Sequence, residues 1–264
     1  MNSKNLVFKF YKIALIFCVL VSYISCKKEY KLSLDDRPLF KVKKTDRAIV
    51  ADGKMDETDW TKSEVRTFDY TYKAEKPDDT QKTTFRMLWD DENLYLFFEC
   101  EDKYITARET KRDGMPFYDD CAEIFLTPAP NSSNAHICFE VNVLKAVNDI
   151  VYVNDFTQGL GLPVKGYNPN DVKIGVQING TLNDNSDIDK GWTMEFAIPK
   201  EAFLGADRHY PIKAGTQWAF LALRQGRNEI EGERRVTSTI FPVDNFIEKD
   251  VHQPNMFGLM EFVK

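Results

Sequence analysis

The chain has 264 residues, 43% of them hydrophobic and 13% aromatic, enough to bury a core of ordinary size in one domain. This composition excludes a low-complexity disordered chain. The formal net charge is −6, and no basic cluster interleaved with aromatic residues offsets it, so the composition predicts no nucleic-acid binding.

Residues 1–25 have the pattern of a bacterial lipoprotein signal peptide. Three lysines precede an apolar run over residues 13–24, and Ser25 stands before Cys26. The run is about a dozen residues long, shorter than the roughly 20 of a transmembrane helix. We therefore expect cleavage before Cys26, lipidation of that cysteine and a lipid-anchored position in the cell envelope, on the periplasmic or surface face of the outer membrane. Plain secretion is the alternative. Cleavage would remove three lysines and no acids, giving a net charge of −9.

The rest of the chain divides into a tether and one domain. Residues 26–45 are charged, include Pro38 and show no sustained periodicity, which predicts a tether, and residues 46–264 form the predicted domain. Its first clear element is a hairpin, because Thr83–Trp89 and Leu94–Glu101 alternate on either side of an acidic turn. Pairing Trp89 with Leu94 aligns the apolar side chains of the two strands on one face.

A second hairpin and four more strands follow. The hairpin strands, Cys121–Thr127 and His136–Val143, are separated by a run of proline, asparagine and serine. The later strands are predicted at Val172–Ile178, Trp192–Ile198, Gln217–Arg224 and Phe257–Phe262, and short helices only at Asp56–Lys62 and Lys200–Leu204. The pattern predicts an all-β fold, an antiparallel, jelly-roll-like β-sandwich with one or two short helices.

The register of the second hairpin brings two acids together. Aligning the apolar faces of its strands places Glu123 opposite Glu140. Like charges directly across a ladder cost up to about 1 kcal/mol unless something bridges them. A sugar hydroxyl, a cation or an arginine would do so, and the alternative is a solvated face with both acids in water.

Three cysteines remain once Cys18 leaves with the signal and Cys26 is lipidated: Cys100, Cys121 and Cys138. Each lies in an apolar strand pattern, which favours buried small side chains over a disulfide. Their spacing is not that of a zinc site.

Six segments resemble family 9 carbohydrate-binding modules, in the same order and from about residue 46 to the end of the chain. They are Ile49–Gly53 with Trp60, Trp89–Tyr95, Asp119–Phe125, Gly191–Pro199, Trp218–Arg224, and His252–Gly258. The resemblance implies a calcium-associated β-sandwich that binds polysaccharide or oligosaccharide without cleaving it. Such a protein would support polysaccharide catabolism beside separate glycan-degrading enzymes.

The resemblance also suggests where a sugar would bind. Where family members carry the first tryptophan of an aromatic clamp, this chain has Phe117, and the second clamp position falls near Val251. A strand position that is arginine in such members is Glu140 here. All four tryptophans, Trp60, Trp89, Trp192 and Trp218, fall at framework positions and are expected in the core.

The candidate residues combine aromatic faces with groups that hydrogen-bond paired hydroxyls. The carbohydrate-binding candidates are Phe117, Tyr118, Glu123, Arg112, Glu140, Asn142, Arg224 and His252. Phe246 and His252 could replace the missing tryptophan, or simply pack in their loop. For calcium, the oxygen donors are Asp119 and Asp120, or the loop over residues 184–189.

Three other functions stay open from the sequence. A glycoside hydrolase could use Glu123 and Glu140 as its paired acids, although nothing in the sequence would raise either pKa. A haem-binding sandwich needs axial ligands, and His136, His209 and His252 suggest no pair. The third is a structural interaction domain without a ligand.

Overall fold

Fourteen strands, joined into one mixed sheet, make up most of the fold. The computed structural model describes residues 33–76, 79–131, 135–153, 162–164, 166–231 and 234–264. The signal peptide and Cys26 lie outside these residues. Ser33–Lys264 form one unit.

The strands are β1 (Leu39–Lys44), β2 (Val65–Thr67), β3 (Tyr70–Tyr72), β4 (Thr83–Trp89), β5 (Asn93–Glu101), β6 (Cys121–Thr127), β7 (His136–Asn142), β8 (Val147–Val153), β9 (Leu162–Val164), β10 (Lys173–Asn179), β11 (Gly191–Pro199), β12 (Gln217–Gly226), β13 (Val236–Thr239) and β14 (Gly258–Val263). Short 3-10 helices span Leu34–Asp36, Thr58–Lys62, Pro116–Tyr118, Lys200–Phe203 and Ala206–Arg208, and a single α-helical turn spans Phe246–Lys249. No helix in these described ranges has the length and hydrophobicity to cross a membrane.

The sheet order is β10-β11-β5-β4-β1-β14-β12-β6-β7-β8-β9, with β2 on β4 and β13 between β12 and β3. Strand β1 pairs in parallel with both β14 and β4, which corrects the predicted strand directions and the predicted length of the tether. The sheet is mixed rather than purely antiparallel, and the predicted tether over residues 26–45 is too long, because Leu39–Lys44 belongs to the sheet. This strand was missed because its short, lysine-rich sequence alternates around only two well-buried side chains, Phe40 and Val42.

Both predicted hairpins are confirmed in their register. Trp89 pairs with Leu94 across β4 and β5, and Glu123 pairs with Glu140 across β6 and β7. The predicted core positions of the tryptophans are also confirmed, since none of the four is more than 3% exposed. The three cysteines of the described chain are buried and free, as expected.

The part of the sheet formed by β12, β6, β7 and β8 is buried on both faces, and each face packs against a different part of the fold. In β12, Leu223 pairs with Glu123 while Arg224 pairs with Ala122, so Glu123 and Arg224 lie on opposite faces. The Arg224 face packs against β4: the ring of Phe220 on β12 lies 6.2 Å from the ring of Phe85 on β4. We call the other side the Glu123 face.

Glu195 of β11 anchors the segment before the 3-10 helix Thr58–Lys62. Its carboxylate accepts hydrogen bonds from the backbone N–H groups of Asp52 and Gly53 and from the Trp60 indole, at 3.0–3.1 Å. The backbone of this segment crosses so close to β10 that a Cβ atom at Gly175 would lie 2.3 Å from the Asp52 carbonyl carbon. The Ile49–Gly53 motif therefore has a structural role.

Candidate functional site

Two buried acids lie at the centre of the Glu123 face. Glu123 on β6 is 2% exposed and Glu140 on β7 is 3% exposed. On the far side of Glu140, the Asn148 side chain of β8 donates a hydrogen bond of 2.6 Å to the Glu140 carboxylate. On the near side of Glu123, the Gln225 side chain of β12 forms a hydrogen bond to it, and Thr237 of β13 donates to Gln225 at 2.6 Å. The face is thus a row of polar groups across five strands.

Burial changes the charge state of the two acids. Desolvation raises the pKa of Glu140 to about 7, against lowering by the Asn148 hydrogen bond and the positive charge of Arg235. The pKa of Glu123 lies well above its usual range, first through desolvation and then through the charge of Glu140. Both shifts favour the protonated form of the two acids over the charged form. The sequence offered no sign of this shift, because it depends on the strands that cover the pair.

Arg235, just before β13, is the main site residue that the sequence did not predict. Its positive charge acts on both Glu123 and Glu140, and its guanidinium lies over the rings of Tyr118 and Phe117, 4.6 and 5.3 Å from their centroids. The two aromatic rings are partly exposed. Arg235 thus contacts the rings of Phe117 and Tyr118, and its charge also acts on Glu123 and Glu140.

Several polar atoms of Glu123 and Arg235 are buried and unpaired. Within the residues that the structure describes, Glu123 Oε1 and the Nε and Nη1 atoms of Arg235 have no hydrogen-bond partner. A buried donor or acceptor without a partner costs about 1–3 kcal/mol. Arg235 and Glu123 thus hold a donor and an acceptor that no described residue satisfies.

The two other predicted arginines lie elsewhere, and their assignment to this site is corrected. Arg224 is on the opposite face, 2% exposed, and forms a salt bridge of 2.6 Å with the buried Asp102 and a contact with the Trp192 ring. Arg112 pairs with Asp149, whose side chain is on the Arg224 face because it lies opposite Phe139. Neither arginine is directed at Glu123.

Asn142 and Asp119 serve the backbone of a neighbouring loop rather than a ligand, which corrects the prediction for Asn142. The Asn142 amide donates to the Glu109 carbonyl and to Asp119, both at 2.8 Å, and its oxygen accepts from two N–H groups of the following turn. Asp119 also accepts from the N–H groups of Arg108 and Glu109. The Asn142 amide and Oδ2 of Asp119 are thus engaged within the fold.

The carboxylates predicted for calcium already accept hydrogen bonds from the backbone. Asp120 is completely buried and accepts from the backbone N–H groups of Thr106 and Arg227, at 2.6 and 2.7 Å. Oδ2 of Asp119 likewise accepts from the N–H groups of Arg108 and Glu109 and from the Asn142 amide, so these donors would compete with a cation for the two carboxylates. In the alternative loop, Asp189 likewise accepts from the N–H groups of Thr181 and Ile105.

The candidates for the second aromatic clamp residue are buried in the loop before β14. Phe246 stacks on Tyr72 with ring centroids 4.6 Å apart, and Val251 is 3% exposed. His252 stacks on Phe125 at 4.7 Å. The loop-packing alternative describes these residues, and they leave Phe117 and Tyr118 as the exposed aromatic surface of the site.

The structure also reveals a histidine pair, which corrects the expectation that the histidines form none. His136 Nε2 lies 3.0 Å from His252 Nδ1, and both rings are buried. Two axial haem ligands would stand about 4 Å apart, at about 2 Å each from an iron between them. The pair is too close for that arrangement, so the haem alternative gains no support.

Comparison with known protein families and solved structures agrees with the fold and the motifs described above. A family model described as carbohydrate family 9 binding domain-like matches residues 50–260. The chain belongs to this family. The match spans most of the described sheet, from the segment held by Glu195 to β14. No curated protein matches the sequence.

Solved structures similar to this chain include two of a family 9 carbohydrate-binding module from Caldicellulosiruptor kristjanssonii. One, in complex with cellotriose, has a TM-score of 0.56 at 17% identity and covers 85% of this chain and 93% of its own. The other, in complex with glucose, has the same score and identity and covers 85% and 95%. A protein from Bacteroides uniformis reaches 0.60 at 16% identity, covering 86% and 99%. At these identities the likeness shows the fold.

Proposed function

We propose that the chain is a noncatalytic carbohydrate-binding protein whose site is the region around Glu123, Glu140, Arg235, Phe117 and Tyr118. Membership of the family and the sugar complexes of similar structures support this class of ligand. The same likeness favours a sandwich-like packing of the curled sheet.

The observation that carries the proposal is the set of unpaired polar atoms beside aromatic rings. Arg235 offers N–H donors and Glu123 an oxygen, all buried and without partners among the described residues. Adjacent hydroxyls of a sugar both donate and accept, so one ring can satisfy both groups. The CH groups of the same ring pack on an aromatic face, which Phe117 or Tyr118 can supply on the side not covered by Arg235.

A glycoside hydrolase is the second candidate, favoured by one observation. The expected objection, that nothing raises either pKa, is wrong, because burial raises the pKa of both Glu123 and Glu140. Family membership and the sugar complexes of similar structures, however, support a noncatalytic binding domain. We therefore favour binding without cleavage.

Arginine substitutions on the two faces test the site. Arg235→Met keeps an apolar stem over the aromatic rings but removes every donor, so glycan affinity should fall roughly 10- to 100-fold, as for loss of a hydrogen bond from a charged group. Arg112→Met is the matched control, because its partner Asp149 lies on the other face. Affinity electrophoresis in a panel of soluble polysaccharides finds the ligand, and calorimetry with its oligosaccharides gives the constants.

The results separate the candidates. Equal losses in Arg235→Met and Arg112→Met would place the site elsewhere, and so would no loss in either. Turnover of a bound glycan that Glu123→Gln abolishes would instead identify a hydrolase.

We further propose that Cys26 carries a lipid anchor, and that the protein works in the cell envelope beside glycan-degrading enzymes. The signal-peptide pattern of residues 1–25 supports the anchor. Metabolic labelling with a fatty-acid analogue should mark the chain and be lost in Cys26→Ala. Labelling of that variant would contradict the anchor.

A further inference from the structure

A cluster of three metal-ligating side chains lies on the Glu123 face and has no part in the proposed sugar site. His136 and Cys138 are on β7, and His252 comes from the loop before β14. Each side chain is buried, and one ligand atom from each lies within 4.8 Å of the others. From these residues we propose that the chain binds a thiophilic transition-metal ion, zinc or copper, between His136, Cys138 and His252.

The strand geometry explains why two of the ligands converge. His136 and Cys138 are two residues apart on β7, so their side chains point to the same face. His252 is brought to that face by stacking on Phe125, the residue that pairs with Cys138. Tyr152 packs on the His136 ring from β8, with centroids 5.2 Å apart. The two histidine rings are therefore held in place by packing against Phe125 and Tyr152.

The distances suit a tetrahedral ion. Two imidazole nitrogens bound to zinc at about 2.05 Å stand about 3.3 Å apart, and a nitrogen and a thiolate sulfur about 3.6 Å apart. The His136 and His252 nitrogens are 3.0 Å apart. Because all three ligand atoms already lie within 4.8 Å, closure around an ion takes about 1 Å of side-chain movement.

Metal binding changes the protonation of the ligands. Zinc and copper bind cysteine as the thiolate and histidine as the neutral imidazole, so the ion must displace the Cys138 proton. Binding forms the metal–sulfur bond and releases that one proton to solvent. The hydrogen shared between the two imidazoles moves to the other nitrogen of its own ring.

The donor set defines the class of ion. A thiolate with two imidazoles is preferred by zinc and copper, and hard cations such as calcium and magnesium prefer oxygen. Three protein ligands leave one position of a tetrahedron for water or another group. A bound ion would cross-link the loop before β14, through His252, to β7, the strand that also carries Glu140.

Cobalt titration of the full chain tests the site directly. Co²⁺ takes tetrahedral zinc sites, and a bound thiolate gives it an intense charge-transfer band in the near ultraviolet. We expect this band to grow until metal and protein are equimolar, with release of one proton per ion. Cys138→Ser should abolish the band and His252→Gln should weaken binding at least 10-fold. Cys121→Ser is the matched control, since Cys121 is an equally buried cysteine outside the cluster.

A band that survives in Cys138→Ser, or its absence from the unsubstituted chain, would overturn the proposal. If Cys138→Ser does not fold, X-ray absorption of the unsubstituted cobalt complex still reports the ligands: one sulfur with nitrogens supports the site, and oxygen alone contradicts it. Zn²⁺ and Cu⁺ are then added separately to the cobalt-loaded chain. The ion that displaces cobalt at the lower concentration is the one that the site takes.

Discussion

Glu140→Gln should make the chain more stable at alkaline pH and leave its stability at acidic pH nearly unchanged. In the folded chain the pKa of Glu140 is about 7, raised by burial from the ordinary 4.5. In the unfolded chain the carboxyl ionises near its ordinary value, so between these pH values the folded state binds more protons. The free energy of unfolding therefore falls as pH rises from about 4.5 to about 7, and the loss is complete above that range.

The pKa difference gives the size of the effect. A span from 4.5 to about 7 corresponds to about 3 kcal/mol, because one pKa unit is worth about 1.4 kcal/mol. Glutamine has the same shape, can still accept the Asn148 hydrogen bond and carries no charge to desolvate. For a domain of this size, about 3 kcal/mol corresponds to a rise in Tm of roughly 6–12 °C at pH 8.

The assay is urea unfolding of the parent and variant at half-unit steps from pH 4.5 to pH 8.5. The diagnostic quantity is the difference between the two curves, because burial also raises the pKa of Glu195 to about 7 and so bends both curves. Glu99→Gln, which removes an exposed carboxylate on β5, is the matched control and should leave the parent curve unchanged in shape. A constant difference between Glu140→Gln and the parent across the whole range would show that burial does not raise the pKa of Glu140 in the folded chain.

Three further substitutions test the structural roles assigned above. Arg224→Ala should lower the free energy of unfolding by about 3–5 kcal/mol, because it leaves the charge of Asp102 buried and unpaired; urea unfolding measures this, and a loss below 1 kcal/mol would contradict it. Gly175→Ala should cost about 1–3 kcal/mol by thermal unfolding, since its Cβ would overlap the Asp52 backbone, and a neutral effect would show that the crossing is loose. Asn142→Ala should destabilise the chain by at least about 2 kcal/mol through its lost loop contacts. Reduced glycan affinity at unchanged stability would instead show that Asn142 contacts the sugar.

Short-range features of this fold could be predicted because they follow from alternation and turn residues. The pairing of Trp89 with Leu94, and of Glu123 with Glu140, needs only the apolar pattern of two strands joined by a recognisable turn. The placement of β1 could not be predicted in the same way. Its partners are more than 40 residues away along the chain, and parallel pairing leaves no turn signal.

The site was only partly predictable for a related reason. Arg224 was assigned to the wrong face because that assignment needs the register between β12 and β6, and no short turn joins those strands. Arg235 and the contact between His136 and His252 depend on loops that cross the Glu123 face. No local pattern marks such residues, whereas the hairpin register singled out Glu123 and a motif shared with the family singled out Phe117.

The most direct test of the central claim is calorimetric titration of the protein and its Arg235→Met variant with an oligosaccharide chosen from the polysaccharide panel. We expect the unsubstituted protein to bind, Arg235→Met to lose roughly 10- to 100-fold in affinity and Arg112→Met to bind as the parent does. If Arg235→Met folds normally and binds the glycan as tightly as the parent, the Glu123 face is not the sugar site.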